Sequence, residues 1–216
     1  MTNNQSSVRI IAGTWRERRI NFPTTHGVRP TQDRIRETLF NWLQLDIRGA
    51  LCLDLFAGSG ALGIEALSRG AEYVTFVDSS NEVVAFINSN LQMLGTDAAS
   101  VICSRVPDSK LLVSPRPFDI IFLDGLHTYE QTIKDIDNSL KFLKENGVII
   151  VHDCLPKKIW NQVVPRLYGH WNGDVWKAIV HTRTYENVDT YTLKADHGLG
   201  IILNRKNRNH LKINIR

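Results

Sequence analysis

Asp54-Leu55-Phe56-Ala57-Gly58-Ser59-Gly60-Ala61-Leu62-Gly63 joins an apolar run, Ala50–Phe56, to a helix-forming stretch, Leu62–Ser68. Glycines at such a junction let the chain turn tightly and approach a ligand closely, and open α/β sheets bind ligands at the carboxyl ends of their strands. The next β-type run, Tyr73–Asp78, ends in a second acid, placed where a carboxylate accepts both hydroxyls of a ribose. A dinucleotide site would want G-x-G-x-x-G with pyrophosphate on the helix N-terminus, whereas this turn lacks the second spacing and is preceded by an acid. An acid there repels pyrophosphate but suits the amino group of an amino-acid-like ligand. The pattern therefore points to S-adenosylmethionine ahead of NAD. The competing reading is a tight strand-to-helix connection that holds no ligand.

Outward from the turn the chain alternates strands and helices: a helix over Glu82–Leu94, strands Ser100–Cys103 and Phe118–Asp124, a helix from Glu130 to Leu143, and a strand Val148–Val151 after Asn146-Gly147. That rhythm predicts an α/β fold, Rossmann-like, with a doubly wound and mostly parallel sheet. Beyond Pro156 the spacing of Ile159, Trp160, Val163 and Val164 predicts an amphipathic helix. Three β-type runs follow, Val175–Val180, Val188–Leu193 and Leu199–Leu203, the last two pairing as a C-terminal antiparallel hairpin. On the amino-terminal side, Val8–Ala12 reads as a strand and Arg16, Arg18 and Arg19 as a basic stretch. A helix with Thr31 as N-cap then carries Ile35, Leu39, Trp42 and Leu43 on one face.

The 216 residues are 43% hydrophobic and 22% charged, enough for one buried core. The polar start and the lack of a long apolar run predict a cytoplasmic protein with no membrane partner. Cys52, Cys103 and Cys154 read as small buried fillers with reduced thiols. The net charge of +4 is uneven. Residues 1–48 hold eight arginines against four acids, and residues 204–216 hold five basic residues and no acid. Basic ends suit a phosphate-bearing partner such as RNA, or serve only as solubilising charge. The expected organisation is a basic extension over 1–48, a core over 49–204 and a basic tail over 205–216.

Residues 8–123 resemble the RsmD-type enzymes, which methylate the exocyclic amine of a guanine in small-subunit ribosomal RNA. The matching text is Arg9-Ile-Ile-Ala-Gly13-Thr-Trp-Arg16, Arg29-Pro-Thr31, Asp33-Arg-Ile-Arg-Glu37-Thr-Leu-Phe-Asn-Trp-Leu43, and the run from Asp54 to Ala71. The resemblance implies a class I S-adenosylmethionine-dependent methyltransferase. It implies a cofactor site lined by Thr31, Asp54, Phe56, Ala57, Gly58, Ser59, Gly60, Asp78, Ser79, Ser104 and Asp124. It also implies RNA contacts from Arg9, Arg16, Arg18, Arg19 and Arg29. That family carries Asp or Asn followed by Pro-Pro and an aromatic after the fourth strand, to hold the target amine and stack the base. This chain reads Asp124-Gly125-Leu126-His127-Thr128-Tyr129-Glu130, which leaves Asp124 as acceptor, removes the proline pair and displaces the aromatic to Tyr129.

From Asp124 onward the chain resembles small-molecule class I methyltransferases of the family 24 kind, through Asp124 to Glu130, Gly147 to Cys154, Trp171 to Lys177 and Asp196 to Gly200. The two resemblances predict a recombinant joined within Phe118–Asp124. In related oxygen methyltransferases acids at these strand ends bind a divalent cation, so Asp124 and Asp153 are expected to hold one such as Mg²⁺. Without metal, His127 or His152 is the expected general base beside Asp124. Alternatively His152 is a bonded core residue and Asp153 a helix cap. Trp171 and Trp176 read as packing.

Three functions compete: a ribosomal RNA guanine methyltransferase acting on the small subunit with impaired turnover, an oxygen methyltransferase for a small hydroxylated metabolite, and a cofactor-binding chimera with little activity. The extent of the first resemblance favours the first.

Overall fold

The computed structural model describes residues 5–24, 30–105, 116–167, 169, 171–195 and 197–212. Arg29, Asp196 and the last four residues of the basic tail lie outside these. The chain divides into two compact units, Met1–Arg116 and Pro117–Arg216. Seven strands carry the α/β architecture, three in the first unit and four in the second, and five of them run parallel to a neighbour.

In the first unit β1 (Gln5–Arg9) and β2 (Arg19–Pro23) form an antiparallel hairpin, with Val8 opposite Ile20. The strand expected over Val8–Ala12 thus ends at Arg9, and its partner begins at Arg19, the last residue of the stretch expected to be merely basic. Ile20 and Phe22 alternate inward along β2, and the exposed Arg19 concealed that period of two. The following helix α1 (Asp33–Trp42) starts one residue later than the expected cap allowed. Gln32 is its N-cap, and Thr31 instead offers its carbonyl to the Arg36 guanidinium. Strands β3 (Leu51–Asp54), β4 (Tyr73–Asp78) and β5 (Ala99–Cys103) run parallel in the order β5-β4-β3. Between them lie α2 (Ala61–Ser68), buried along its whole length, and α3 (Asn81–Leu94). Ser80 Oγ caps α3 by accepting from the Val83 N–H, and Gly95 ends it in the left-handed region.

Arg36 and Glu65 are both fully buried, an arrangement that is costly unless every polar group is paired. Here they are. Arg36 donates to Glu65 Oε2, Asp33 Oδ1 and the carbonyls of Thr31 and Arg9, and Glu65 also accepts from the N–H groups of Ile11 and Ala12 and from Arg69. Ser68 completes the seam, donating to the Ala12 carbonyl and accepting from the Trp15 N–H. The network fastens the turn after β1 onto α2, the helix that leaves the glycine turn.

In the second unit β6 (Phe118–Leu123) and β7 (Leu143–Val151) run parallel, and β9 (Leu199–Leu203) pairs antiparallel with both β7 and β8 (Asp189–Leu193). The expected terminal hairpin is present. Helix α4 (Tyr129–Leu140) joins β6 to β7. Two expectations fail. The run Val175–Val180 is not a strand but the start of α5 (Val175–Thr182), whose buried residues Val175, Ala178, Ile179 and Thr182 recur at helical spacing. Burial of that stripe overrides the β-branched composition. The amphipathic helix expected after Pro156 is a single 3-10 turn, Ile159–Asn161. Its would-be apolar face has nothing to cover it, since Ile159, Trp160 and Val164 are all exposed, and Pro165 disfavours helical backbone at Val164. Of the cysteines, Cys52 and Cys154 are buried as expected, and burial pushes the Cys154 thiol up to about 12. Cys103 is exposed, contrary to expectation. Among the described residues no helix is long and apolar enough to cross a membrane.

Candidate active site

The turn after β3 is built around two carboxylates. Gly58 and Gly60 both have positive φ, 50° and 72°, a backbone an L side chain rarely adopts. A Cβ on Gly60 would also press on Ile87 Cγ1 at 3.2 Å. Asp54, 3% exposed, accepts from the Gly63 N–H at 3.0 Å and so fastens the first turn of α2 to the end of β3. Asp78, half-buried, accepts from the Gly58 N–H through Oδ2 and from the Ser80 N–H through Oδ1, each at 2.9 Å. The Ala57 N–H donates to the Val77 carbonyl and the Ser104 N–H to the Asp78 carbonyl.

Asp54, Phe56 to Gly60, Asp78, Ser79 and Ser104 therefore gather at the carboxyl ends of β3, β4 and β5. Their roles differ. Asp54 is buried beneath the turn, whereas Asp78 is half-buried and, with one bond per oxygen, keeps acceptor capacity where a ligand can reach it. Such a site fits the nucleoside of S-adenosylmethionine: a half-buried carboxylate with spare lone pairs stands for the ribose hydroxyls beside a side-chain-free bend. Thr31 is positioned by Arg36, in the segment that enters α1.

In the second unit Asp124 follows β6, and His152 and Asp153 follow β7. The backbone pins the latter pair, because the His152 N–H donates to the Leu123 carbonyl. Two imidazoles alternate with two carboxylates here. His127 Nε2 lies 3.4 Å from Asp124 Oδ1 and its Nδ1 3.5 Å from Asp153 Oδ2. His152 Nδ1 lies 3.4 Å from both Asp124 Oδ1 and Asp153 Oδ1. Burial would raise the Asp124 carboxyl, but the charge of His152 and the His127 hydrogen bond outweigh it and hold Asp124 well below the usual carboxylate range. Burial would lower His127, yet the hydrogen bond and charge of Asp124, then Asp153 and the Trp171 carbonyl, leave it above its ordinary value. The chemical result is an anionic carboxylate held at a strand end between two imidazoles.

The sequence reading thus brought Asp124, His127, His152 and Asp153 together correctly. It did not foresee what clamps them. The His127 ring tilts against Trp171 at 5.8 Å between centroids, and its Nδ1 lies 3.2 Å from the Trp171 carbonyl. Gly173 passes so close that a Cβ there would fall on the His127 carbonyl. Asp174 Oδ1 accepts from the Tyr129 N–H and starts α4, and the Tyr129 hydroxyl is 2.9 Å from His181 Nδ1. Tyr129 is therefore a structural aromatic, and the rings beside the Asp124 carboxylate are the imidazoles of His127 and His152, each with a nitrogen 3.4 Å from Asp124 Oδ1.

The cation expected at Asp124 and Asp153 is not supported. Among the described residues no three or more His, Cys, Asp or Glu side chains are grouped to hold a metal, because these carboxylates face imidazoles instead of a shared point. The arginines expected to meet RNA are exposed but carry internal partners: Arg9 with Asp33 at 2.6 Å, Arg16 near Glu17 at 3.8 Å, Arg18 on the Met93 carbonyl, and Arg19 on Ser7. Some of that basic charge stabilises the amino-terminal hairpin.

Fold and site together define a Rossmann-like S-adenosylmethionine-dependent methyltransferase, and comparison with known proteins agrees. A family model, Conserved hypothetical protein 95, matches residues 8–167. Ribosomal RNA small subunit methyltransferase D of Haemophilus influenzae is 43% identical over 155 residues, spanning 69% of this chain and 80% of that one. The protein of the same name from Escherichia coli is 40% identical over 145 residues, spanning 67% and 71%. A solved Escherichia coli chain, yhhF, assigned to the methyltransferases, superposes with a TM-score of 0.67 at 31% identity over 94% of this chain and all of that one. The chain belongs to the Conserved hypothetical protein 95 family. The family match runs past Asp124 and beyond the end of β7, so it shows no break at the junction expected within Phe118–Asp124.

Proposed function

We propose that this chain methylates the exocyclic amine of a guanine in ribosomal RNA of the small subunit. The observation that carries this reading is the Asp124 carboxylate, kept ionised by His127 and His152 at the end of β6. An ionised carboxylate only accepts hydrogen bonds, so it suits an amine that must present its lone pair while its N–H groups are held. The names of the relatives support the same acceptor.

The bound cofactor supplies the methyl group. Asp78 binds the ribose, and the Gly58–Gly60 bend lets the chain lie against the ligand. Asp124 accepts from one amine N–H and orients the nitrogen. The amine nitrogen would gain the methyl group as the methyl–sulfur bond breaks, leaving S-adenosylhomocysteine, and would lose one proton to water. His127, with Nε2 3.4 Å from Asp124 Oδ1, helps hold that carboxylate in position. It takes the place of the aromatic ring, without the rigidity of a proline pair, so turnover is expected to be slow relative to chains with Pro-Pro-aromatic.

The test is transfer of labelled methyl to isolated small-subunit RNA and to assembled subunits, followed by nucleoside analysis. Label in a guanine amine supports the reading. Label absent from RNA but transferred to a hydroxylated small molecule overturns it.

A further inference from the structure

The segment that follows the His-Asp cluster has a composition the methyltransferase chemistry does not explain. Residues 155–167, Leu-Pro-Lys-Lys-Ile-Trp-Asn-Gln-Val-Val-Pro-Arg-Leu, contain three cations and no acid. Leu155, Lys157, Lys158, Ile159, Trp160, Val164, Arg166 and Leu167 are all exposed. Ile159 stands 73% open and Trp160 39%. Lys158 Nζ lies over the Trp160 ring, 5.1 Å from its centroid, so charge and aromatic surface are presented together. An apolar face alone names no partner. A face that interleaves an open indole with cations and excludes acids is complementary to a strand that offers bases and phosphates.

This strap is also fastened to the acceptor end of the molecule. The Trp171 indole N–H donates to the Val163 carbonyl at 2.7 Å, while the Trp171 carbonyl lies against His127 Nδ1. The Asn161 carbonyl accepts from the N–H groups of both Asn172 and Gly173, and Gly173 abuts the His127 carbonyl. At its start the Leu155 N–H donates to the His197 carbonyl. The strap therefore shares its supports with the loop that holds Asp124.

We infer that residues 155–167 form a docking strap for single-stranded RNA, with a base stacked on Trp160 and phosphates met by Lys157, Lys158 and Arg166. The inference rests on the proposed RNA acceptor and adds the surface that grips it. It adds a second basic surface to the amino-terminal arginines, Arg166 of the strap also donating to the Gly169 carbonyl at 2.6 Å.

The experiment measures binding of a fluorescein-labelled single-stranded RNA to the full chain by anisotropy across a salt series. The wild type is compared with Trp160→Ala and with Lys157→Ala/Lys158→Ala. Calorimetric affinity for S-adenosylhomocysteine checks that each variant is folded. Trp160→Ala is expected to weaken RNA binding about tenfold or more, as loss of one base stack does. The double lysine variant is expected to flatten the slope of log affinity against log salt by about 1.4. Both variants should keep their affinity for S-adenosylhomocysteine.

Wild-type RNA affinity in both variants, with methyl transfer to ribosomal RNA intact, overturns the strap and leaves the acceptor standing. No RNA binding by the wild type overturns both. Sedimentation that shows a dimer broken by Trp160→Ala, with RNA affinity unmoved, assigns the face to a second copy of this chain and also overturns the strap.

Discussion

The glycine turn after β3 and the His-Asp loop after β6 are both organised by aspartates at strand ends, but they are supported in opposite ways. Around the first, every buried polar side chain is answered: Asp54 by Gly63, Glu65 by Arg36 and Arg69, Ser68 by Trp15 and Ala12, Asn90 by the backbone of Asn21. In the second unit Asn172 Nδ2 and Oδ1, Trp176 Nε1 and Ser139 Oγ are buried with no hydrogen-bond partner among the described residues. Leaving such a group unmet costs about 1–3 kcal/mol. The contrast teaches where each of the two regions stores its precision. The cofactor end is fixed by backbone bonds that many sequences can supply. The acceptor end depends on a few ionised side chains and tolerates strain around them, including a positive φ of 59° at Asp153.

Substitutions on the two sides should therefore fail differently. The largest effect is expected at the acceptor end: Asp124→Ala should lower the turnover of RNA methylation by about 10²-fold, the order of loss when a reacting group is no longer positioned. S-adenosylhomocysteine affinity, read by calorimetry, should fall far less. Equal losses in both would erase the distinction between the two regions.

Next, Arg36→Leu strips the buried Glu65 of one of its two cationic partners, and it should cost about 3 kcal/mol in urea unfolding, the low end for broken buried pairs because Arg69 remains. A loss below about 1 kcal/mol would mean the seam onto α2 carries little of the first unit's stability.

The smallest effect concerns α4, where burial raises Asp135, 3% exposed, to about 6 against the hydrogen bond from Gln131 and the charge of Lys134. A raised acid holds its proton longer in the folded state, so stability falls as pH rises from the unfolded value of 3.8 to about 6 and stays lowered above that. Asp135→Asn should remove this loss, gaining at most about 3 kcal/mol near pH 7 and nothing near pH 4, as read by unfolding at the two pH values. Equal effects at both pH values would show that the carboxyl is not the strained group.

The same contrast explains what could be read from the sequence. Asp54 to Gly63, Asp78 and the strands around them follow local rules, and β4 and the terminal hairpin fell where periodicity placed them. The failures involve long-range packing. Val175–Val180 looks like a strand until its burial stripe is known, and Ile159, Trp160 and Val164 look like a helix face until nothing is found to cover them. Ile20 and Phe22 were masked by the arginines around them. At the site, the pairing of His127 with Asp153 and the supports from Trp171, Gly173 and Asp174 join residues 26 to 46 positions apart in sequence, beyond the reach of any spacing rule. Glu65 carried a usable signal, a lone acid on an otherwise apolar helix.

The measurement that bears most directly on the cofactor end is calorimetric titration of S-adenosylhomocysteine into the wild type, Asp78→Ala and Asp54→Ala. Asp78 offers spare acceptor capacity to a ribose and also pins Gly58, so its loss should weaken binding about a hundredfold, two charged hydrogen bonds' worth, with Asp54→Ala weakening it less. Unchanged affinity in Asp78→Ala would contradict the account and place the cofactor elsewhere.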